Sequence, residues 1–250
     1  GRLKSIRWVF RIIREILVRK NEEKNKLFMH GTGLIIDNKG VLILGNSGFG
    51  KTTLASKLLS TNDCQKGFLS NDRIFLDNNN GVATMEYFPI PVVFAMGTVR
   101  ADKYLNNYFE RTSIYEKRIG KSFEDSDDKD KVDIPLTDIP KIYENVILKA
   151  VNKVDLIIFS KLDLQFRVET SKYLSSLARE IKLNQTCFTI HDWESLRMQW
   201  IHKTNISNDQ LIENKILTLK NISDNVPIIN LDYSISSKGE DVIKLIKKYY

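Results

Sequence analysis

Apolar positions along this chain keep two different periods, and the switches between them mark out its elements. Over residues 3–20 the period is helical. At about 100° per residue, Lys4, Arg7, Arg11 and Arg14 fall on one face and Ile6, Val9, Phe10, Ile13, Ile16 and Leu17 on the other. Arg7, Arg11, Arg14 and Glu15 break up the apolar run, so the segment does not read as a signal peptide. Two readings stay open for it. Either the apolar side packs on a core with the arginines in solvent, or the helix docks on a membrane surface or a peptide.

Beyond residue 26 the runs are short and strand-like. Residues 33–36 and 41–44 are apolar and are separated by Asp37-Asn38-Lys39-Gly40, which predicts a β-hairpin. The second run leads straight into Gly45-Asn46-Ser47-Gly48-Phe49-Gly50-Lys51-Thr52-Thr53, and residues 54–59 continue as a helix. Residues 68–69 and 74–76 read as strand pieces flanking Ser70-Asn71-Asp72-Arg73. Asp77-Asn78-Asn79-Asn80-Gly81 reads as a turn. A strand over 82–88 ends at Pro89-Ile90-Pro91. Residues 100–118 read as helix and 122–133 as a mobile acidic loop. Buried strands are expected at 154–159 and 226–231, and a terminal helix at 240–249. Strands alternating with helices predict an α/β sheet covered by helices, preceded by a basic helical arm over 1–26.

Composition narrows the class. A chain of 250 residues allows one large domain, here 27–250, with a small appendage. With 42% hydrophobic and 28% charged residues it is ordinary globular material, and no run is long and apolar enough to span a membrane. Two cysteines, Cys64 and Cys187, make no disulfide framework, so a cytoplasmic setting is expected. The net charge of +7 is local. Residues 1–30 hold nine basic and three acidic side chains, which leaves the rest near neutral. A body-wide nucleic-acid surface is therefore not expected.

The chemistry sits in Gly45-x-x-x-x-Gly50-Lys51-Thr52. Glycines let successive N–H groups turn inward on phosphate oxygens, and the helix behind adds its positive end. Lys51 is expected on the β- and γ-phosphates, and the Thr52 hydroxyl on Mg²⁺. Asp72, about twenty residues on, is the candidate second metal ligand and acceptor-side carboxylate. His30 opens the hairpin, and antiparallel pairing would return it toward the phosphates. It is read either as a site residue or as a structural histidine. Asn71, Arg73, Arg100 and Arg167 are candidate contacts to substrate or phosphate.

Together, His30-Gly31, the strand at 41–44, the loop at 45–53 and Phe68-Leu69-Ser70-Asn71-Asp72-Arg73-Ile74 resemble the catalytic domain of HPr kinase/phosphorylase. That domain shares its phosphate-loop fold with phosphoenolpyruvate carboxykinase. The resemblance spans roughly residues 27–100 and extends to peptide-tailoring serine kinases. It implies transfer of the γ-phosphoryl group of ATP, with Mg²⁺, to a hydroxyl, most often serine, on a protein or peptide. His30, Lys51 and Asp72 would then be the catalytic set. The chain departs from the family at Asn71, where the first aspartate of a pair is expected. Homo-oligomerisation is left open.

Two other functions compete. A GTPase or NTPase switch is suggested by Asn152-Lys153-Val154-Asp155, by Ser160-Lys161-Leu162-Asp163 and by Ser236-Ser237-Lys238. No Asp-x-x-Gly segment lies between the phosphate loop and residue 152, so nothing obvious would sense a γ-phosphate. A silent nucleotide-binding regulatory module is suggested by Asn71, since an amide cannot act as a base.

Overall fold

The computed structural model describes residues 2–62, 64–112, 123, 125–163, 167–170, 175–189 and 205–250, with backbone alone at 2–8, 10, 11, 79, 112 and 167–170. The chain runs α1 (Arg2–Glu22), β1 (Leu27–Met29), β2 (Gly31–Ile36), β3 (Lys39–Leu44), α2 (Lys51–Leu59), β4 (Lys66–Ser70), β5 (Ile74–Asn79), β6 (Val82–Tyr87) and β7 (Val92–Ala95). It continues through α3 (Met96–Ala101), α4 (Lys103–Thr112), β8 (Lys131–Ile134), a 3₁₀ turn (Leu136–Asp138), α5 (Ile139–Ile142), β9 (Val146–Leu148), β10 (Val151–Lys153), β11 (Leu156–Leu162) and β12 (Arg167–Thr170). It ends in α6 (Ser176–Asn184), α7 (Asn208–Asn225), β13 (Ile228–Tyr233) and α8 (Gly239–Ile246).

Among the described residues, a seven-stranded sheet in the order β12-β13-β11-β3-β2-β4-β9 forms the middle of the molecule. Strands β3, β11 and β13 run parallel, while β2 pairs antiparallel with both β3 and β4. Its middle strands β2, β3 and β11 are buried along most of their length, as a sheet covered on two sides requires. Val41 and Ile43 point into one core with Leu54 and Leu58 of α2 and Val242 of α8. Leu42 and Leu44 point into the other, against Ile74, Leu76 and Met85 of the second sheet and Leu219 and Ile222 of α7. That second sheet has the order β1-β5-β6-β10, and β7 pairs with β8 alone.

Two of the chain's crossings between the sheets adjoin each other. The chain leaves the second sheet for the central one at His30, between β1 and β2, and returns at Asn71–Arg73, between β4 and β5. Met29 pairs with Ile74 in one sheet and Gly33 with Ser70 in the other. The two crossings therefore lie side by side. The Ser70 hydroxyl pins the return by donating to the Arg73 carbonyl at 2.6 Å and accepting from the Phe88 N–H at 3.2 Å.

Several sequence expectations are sharpened or corrected. The hairpin turn is two residues, Asp37 and Asn38, both at positive φ, with Lys39 and Gly40 already in β3. Likewise β5 continues to Asn79, so the expected turn at 77–81 shrinks to Asn80-Gly81. The expected helix at 100–118 is broken at Asp102, which is extended and uses its carboxylate to accept from the N–H groups of Tyr104 and Leu105. Residues 113–118 lie outside the described residues. The mobile-loop expectation for 122–133 fails at its end. There Lys131–Ile134 is a strand, with Val132 and Ile134 turned into the core behind charged neighbours. The strand expected at 226–231 starts only at Ile228, because α7 runs to Asn225 and is closed by Val226, held extended before Pro227.

The arm also departs from the reading in which its apolar side packs on a core. Helix α1 buries Val18 against Phe28, Phe75 and Phe88. Buried Glu15 and Glu22 pair with Arg14 and Arg19. Val9, Ile13 and Ile16 of the expected packing face are exposed. The side chains of Lys4, Ile6, Arg7, Phe10 and Arg11 lie outside the described residues. No helix among the described residues is long and apolar enough to cross a membrane.

Candidate functional site

The loop that follows β3 is held by its neighbours in the sheet. Tyr233, at the end of β13, donates its hydroxyl to the Gly50 carbonyl at 2.5 Å, and the Leu162 N–H of β11 donates to the Phe49 carbonyl at 3.2 Å. Gly50 caps α2 at φ +81, and a Cβ there would meet the Tyr233 oxygen at 2.3 Å, so this position needs glycine twice over. Residues 46–49 are exposed and curl in front of the first turn of α2. Lys51 folds back under the curl, its Nζ donating to the carbonyls of Gly45 at 2.9 Å and Asn46 at 3.1 Å. Burial pulls the Lys51 ammonium down to about 8, against the attraction of Asp72. Thr53 faces the other way, sharing a hydrogen bond with Thr98 at 2.8 Å.

The return crossing supplies two side chains with separate partners. Asn71 is buried, and its Oδ1 accepts from the Thr32 hydroxyl at 2.7 Å and the Thr52 hydroxyl at 3.1 Å. Asp72 stands in the left-handed region at φ +68 and turns to His30, whose Nε2 lies 2.8 Å from its Oδ1. That hydrogen bond outweighs desolvation and holds the Asp72 carboxyl below the usual carboxylate range, with the charges of His30, Arg73 and Lys51 helping. His30 is fixed in turn. Its backbone N–H donates to the Thr186 carbonyl at 2.7 Å and its ring stacks on Phe188 with centroids 5.3 Å apart. Arg73 lays its guanidinium over the same Phe188, 5.1 Å from the ring centre, and over Phe28.

The structure thus brings His30, Lys51, Thr52, Asn71 and Asp72 together at one end of β3, with Arg73 beside them. Within that group the side chains are paired. The hydroxyl expected on a metal, Thr52, touches Asn71, while Asp72 is joined to His30. Arg100 is committed elsewhere: it pairs with Asp128 at 2.5 Å and donates to the Ser126 hydroxyl at 2.7 Å, tying down the segment around residue 126. Arg167 begins β12 opposite Asp232, and its side chain lies outside the described residues.

The tetrapeptide at 152–155 sits far from the loop. Asn152 and Lys153 pair with β6, and the Asp155 carboxylate accepts the N–H of Gly40, at the opposite end of β3 from Gly45. Ser160-Lys161-Leu162-Asp163 does end beside the loop, with Lys161 donating to Asp163 at 2.7 Å. Ser237 of the third segment accepts from Lys57 at 3.0 Å through its carbonyl.

No cluster of three His, Cys, Asp or Glu side chains forms among the described residues. A magnesium ion does not require one, since one or two carboxylates suffice and phosphate and water complete its shell. The Asp72 carboxylate, with the adjoining Thr52 hydroxyl and Asn71 amide oxygen, offers oxygens of that kind.

Sequence reasoning missed Thr32, whose hydroxyl orients the Asn71 amide. Its flanking glycines, Gly31 and Gly33, were the available signal. It also missed a cleft of about 300 Å³ on the other flank of the loop, lined by Asn46, Phe49, Phe159, Lys182, Asn230 and Asp232 among others. Asn230 and Asp232 alternate at the end of a buried strand, which is where ligand groups gather in parallel sheets. Lys182 comes from α6 and had no local signal.

No family model matches this chain. No curated protein matches it either. Among solved structures, the HPr(Ser) kinase/phosphatase from Coxiella burnetii is similar to it at 14% sequence identity and a TM-score of 0.37, over 88% of this chain and 94% of that one. A likeness that loose leaves the functional reading to the geometry of the site itself.

Proposed function

We propose that the protein is an ATP-dependent kinase that moves the γ-phosphoryl group to a hydroxyl of a protein or peptide. One observation carries the reading: the folded-back Lys51, the Thr52–Asn71 pair and the His30–Asp72 pair converge on the end of β3 where the glycine loop begins. Phosphates would lie along the N–H groups of residues 45–53, and Lys51 would exchange two carbonyls for phosphate oxygens. Thr52 and Asn71 would hold Mg²⁺, which when bound neutralises charge on the transferring group. Asp72 would orient the acceptor hydroxyl and take its proton as the new P–O bond forms and the bond to the β-phosphate oxygen breaks. His30 would keep that carboxylate ionised and aimed.

A protein or peptide serine as acceptor rests on the resemblance of the motifs at 27–100. A cytoplasmic setting accords with the free cysteines, Cys64 half-buried and Cys187 buried. The GTPase reading is weaker, because the literal base-reading tetrapeptide sits at the wrong end of the sheet. A silent module is weaker too. Binding alone does not call for an aspartate paired with a histidine beside the phosphate loop.

The test is incubation with ATP, Mg²⁺ and candidate peptides, read by mass spectrometry for the gain of one phosphate. Asp72→Asn should bind nucleotide like the wild type yet transfer roughly 10²–10⁴-fold more slowly. Preferential GTP hydrolysis to water alone, or no nucleotide binding at all, would overturn the reading.

A further inference from the structure

The strand order gives the glycine loop two unlike sides. The loop follows β3, which lies between β2 on one flank and β11 on the other. On the β2 flank stand His30, Asn71 and Asp72. On the β11 flank, where β3, β11 and β13 all end, lies the cleft of about 300 Å³. A triphosphate lying on the loop with its reactive end toward Asp72 would send its other end over β11 into that cleft.

The lining suits a nucleoside. Phe49 belongs to the loop itself; its backbone is tied to β11 and the residue is 39% exposed. An exposed aromatic ring at the mouth of a cleft is a stacking surface for a planar base. Phe159 forms the opposite wall, with the Lys182 ammonium 4.6 Å from its ring centre and donating to the Asn230 amide oxygen. That contact leaves Phe49 as the platform. Asp232, at the end of β13, presents carboxylate oxygens with lone pairs enough for a vicinal diol. Base stacking and a carboxylate for ribose hydroxyls are the two things a nucleoside needs.

We propose that this cleft holds the nucleoside of the bound triphosphate, with the base stacked on Phe49 and the ribose hydroxyls donating to Asp232. The orientation follows: the γ-phosphoryl faces His30 and Asp72, and the base lies over the ends of β11 and β13. This inference rests on the triphosphate reading above, so its test separates the two. The full chain is titrated with Mg-ATP, Mg-2′-deoxy-ATP and Mg-tripolyphosphate, for the wild type and for Phe49→Ala and Asp232→Asn. Phe49→Ala should lower ATP affinity roughly tenfold while tripolyphosphate affinity stays within about twofold. Asp232→Asn should abolish the preference for ATP over 2′-deoxy-ATP, again sparing tripolyphosphate. Unchanged ATP-to-tripolyphosphate ratios in both variants would overturn the cleft assignment and leave the phosphate cradle standing. Failure of the wild type to bind tripolyphosphate or ATP would overturn both. Retained tripolyphosphate binding is also the folding control for each variant.

Discussion

Lys51 makes the cradle measurable through pH. Its ammonium is buried on two backbone carbonyls and titrates at about 8, below the 10.5 of a free lysine. That gap corresponds to roughly 3 kcal/mol. The sign follows from proton counting. Between pH 8 and 10.5 the unfolded chain binds a proton that the folded chain has lost, so this lysine weakens the fold below pH 8. The deficit is relieved as pH rises toward 10.5. A bound triphosphate replaces neutral carbonyls with anionic oxygens and should return Lys51 to about 10.5 or above. Binding must then take up a proton wherever the free protein has released it. From pH 7 to 9.5, affinity for Mg-ATP should fall by about thirtyfold, with close to one proton absorbed per nucleotide near pH 9. Isothermal titration in two buffers of different ionisation enthalpy reads both numbers. Lys51→Arg, which stays charged, should bind without the pH slope. A wild-type affinity that is flat from pH 7 to 9.5, or equal slopes for wild type and Lys51→Arg, would refute the argument.

Other perturbations probe the remaining parts. His30→Phe keeps the stack on Phe188 and removes the hydrogen bond that holds the Asp72 carboxyl low, so the acid limb of the transfer rate should move to higher pH; an unmoved limb would dissociate the pair. Asn71→Asp puts a carboxylate between two hydroxyls, which should lower the magnesium concentration needed for half-maximal transfer. The same change should lower the melting temperature in chelator, because the new charge is buried. Gly50→Ala forces a Cβ against Tyr233 at positive φ and should cost about 2–3 kcal/mol in urea unfolding. Part of that loss should be regained in the double variant with Tyr233→Phe.

The sequence shows the parts of this site that are local. A hairpin with turn residues at 37–38, a glycine loop and an uninterrupted helix announce themselves because neighbours in sequence make them. The pairing of His30 with Asp72 is not local. It depends on two strands changing sheets at the same height, and only the pairing of Met29 with Ile74 reveals that. Hidden elements fail for related reasons. The strand at 131–134 has two apolar positions inside an acidic stretch, so composition outweighs alternation. Asp102 interrupts the helix by capping the start of the next one with its side chain, without Gly or Pro, which periodicity does not see. Arg100 looks like a phosphate contact until Asp128 is found against it.

The departure at Asn71 was the strongest reason to suspect a silent site, and the geometry changes its weight. A carboxylate at position 71 would face the Thr52 and Thr32 hydroxyls, both of which donate. An amide oxygen accepts from both equally well, so hydroxyl orientation survives the substitution, and only one negative charge near the metal is lost. The residue proposed to handle a proton is the next one. Asp72 reaches the opposite side of the crossing because its backbone turns through the left-handed region, and it keeps a histidine partner. On the proposed reading, metal support and proton transfer fall on different side chains of one dipeptide. Asn71 weakens the first and leaves the second intact. The expected consequence is a kinase that demands more magnesium rather than one that has stopped turning over, and a magnesium titration of wild type against Asn71→Asp distinguishes the two.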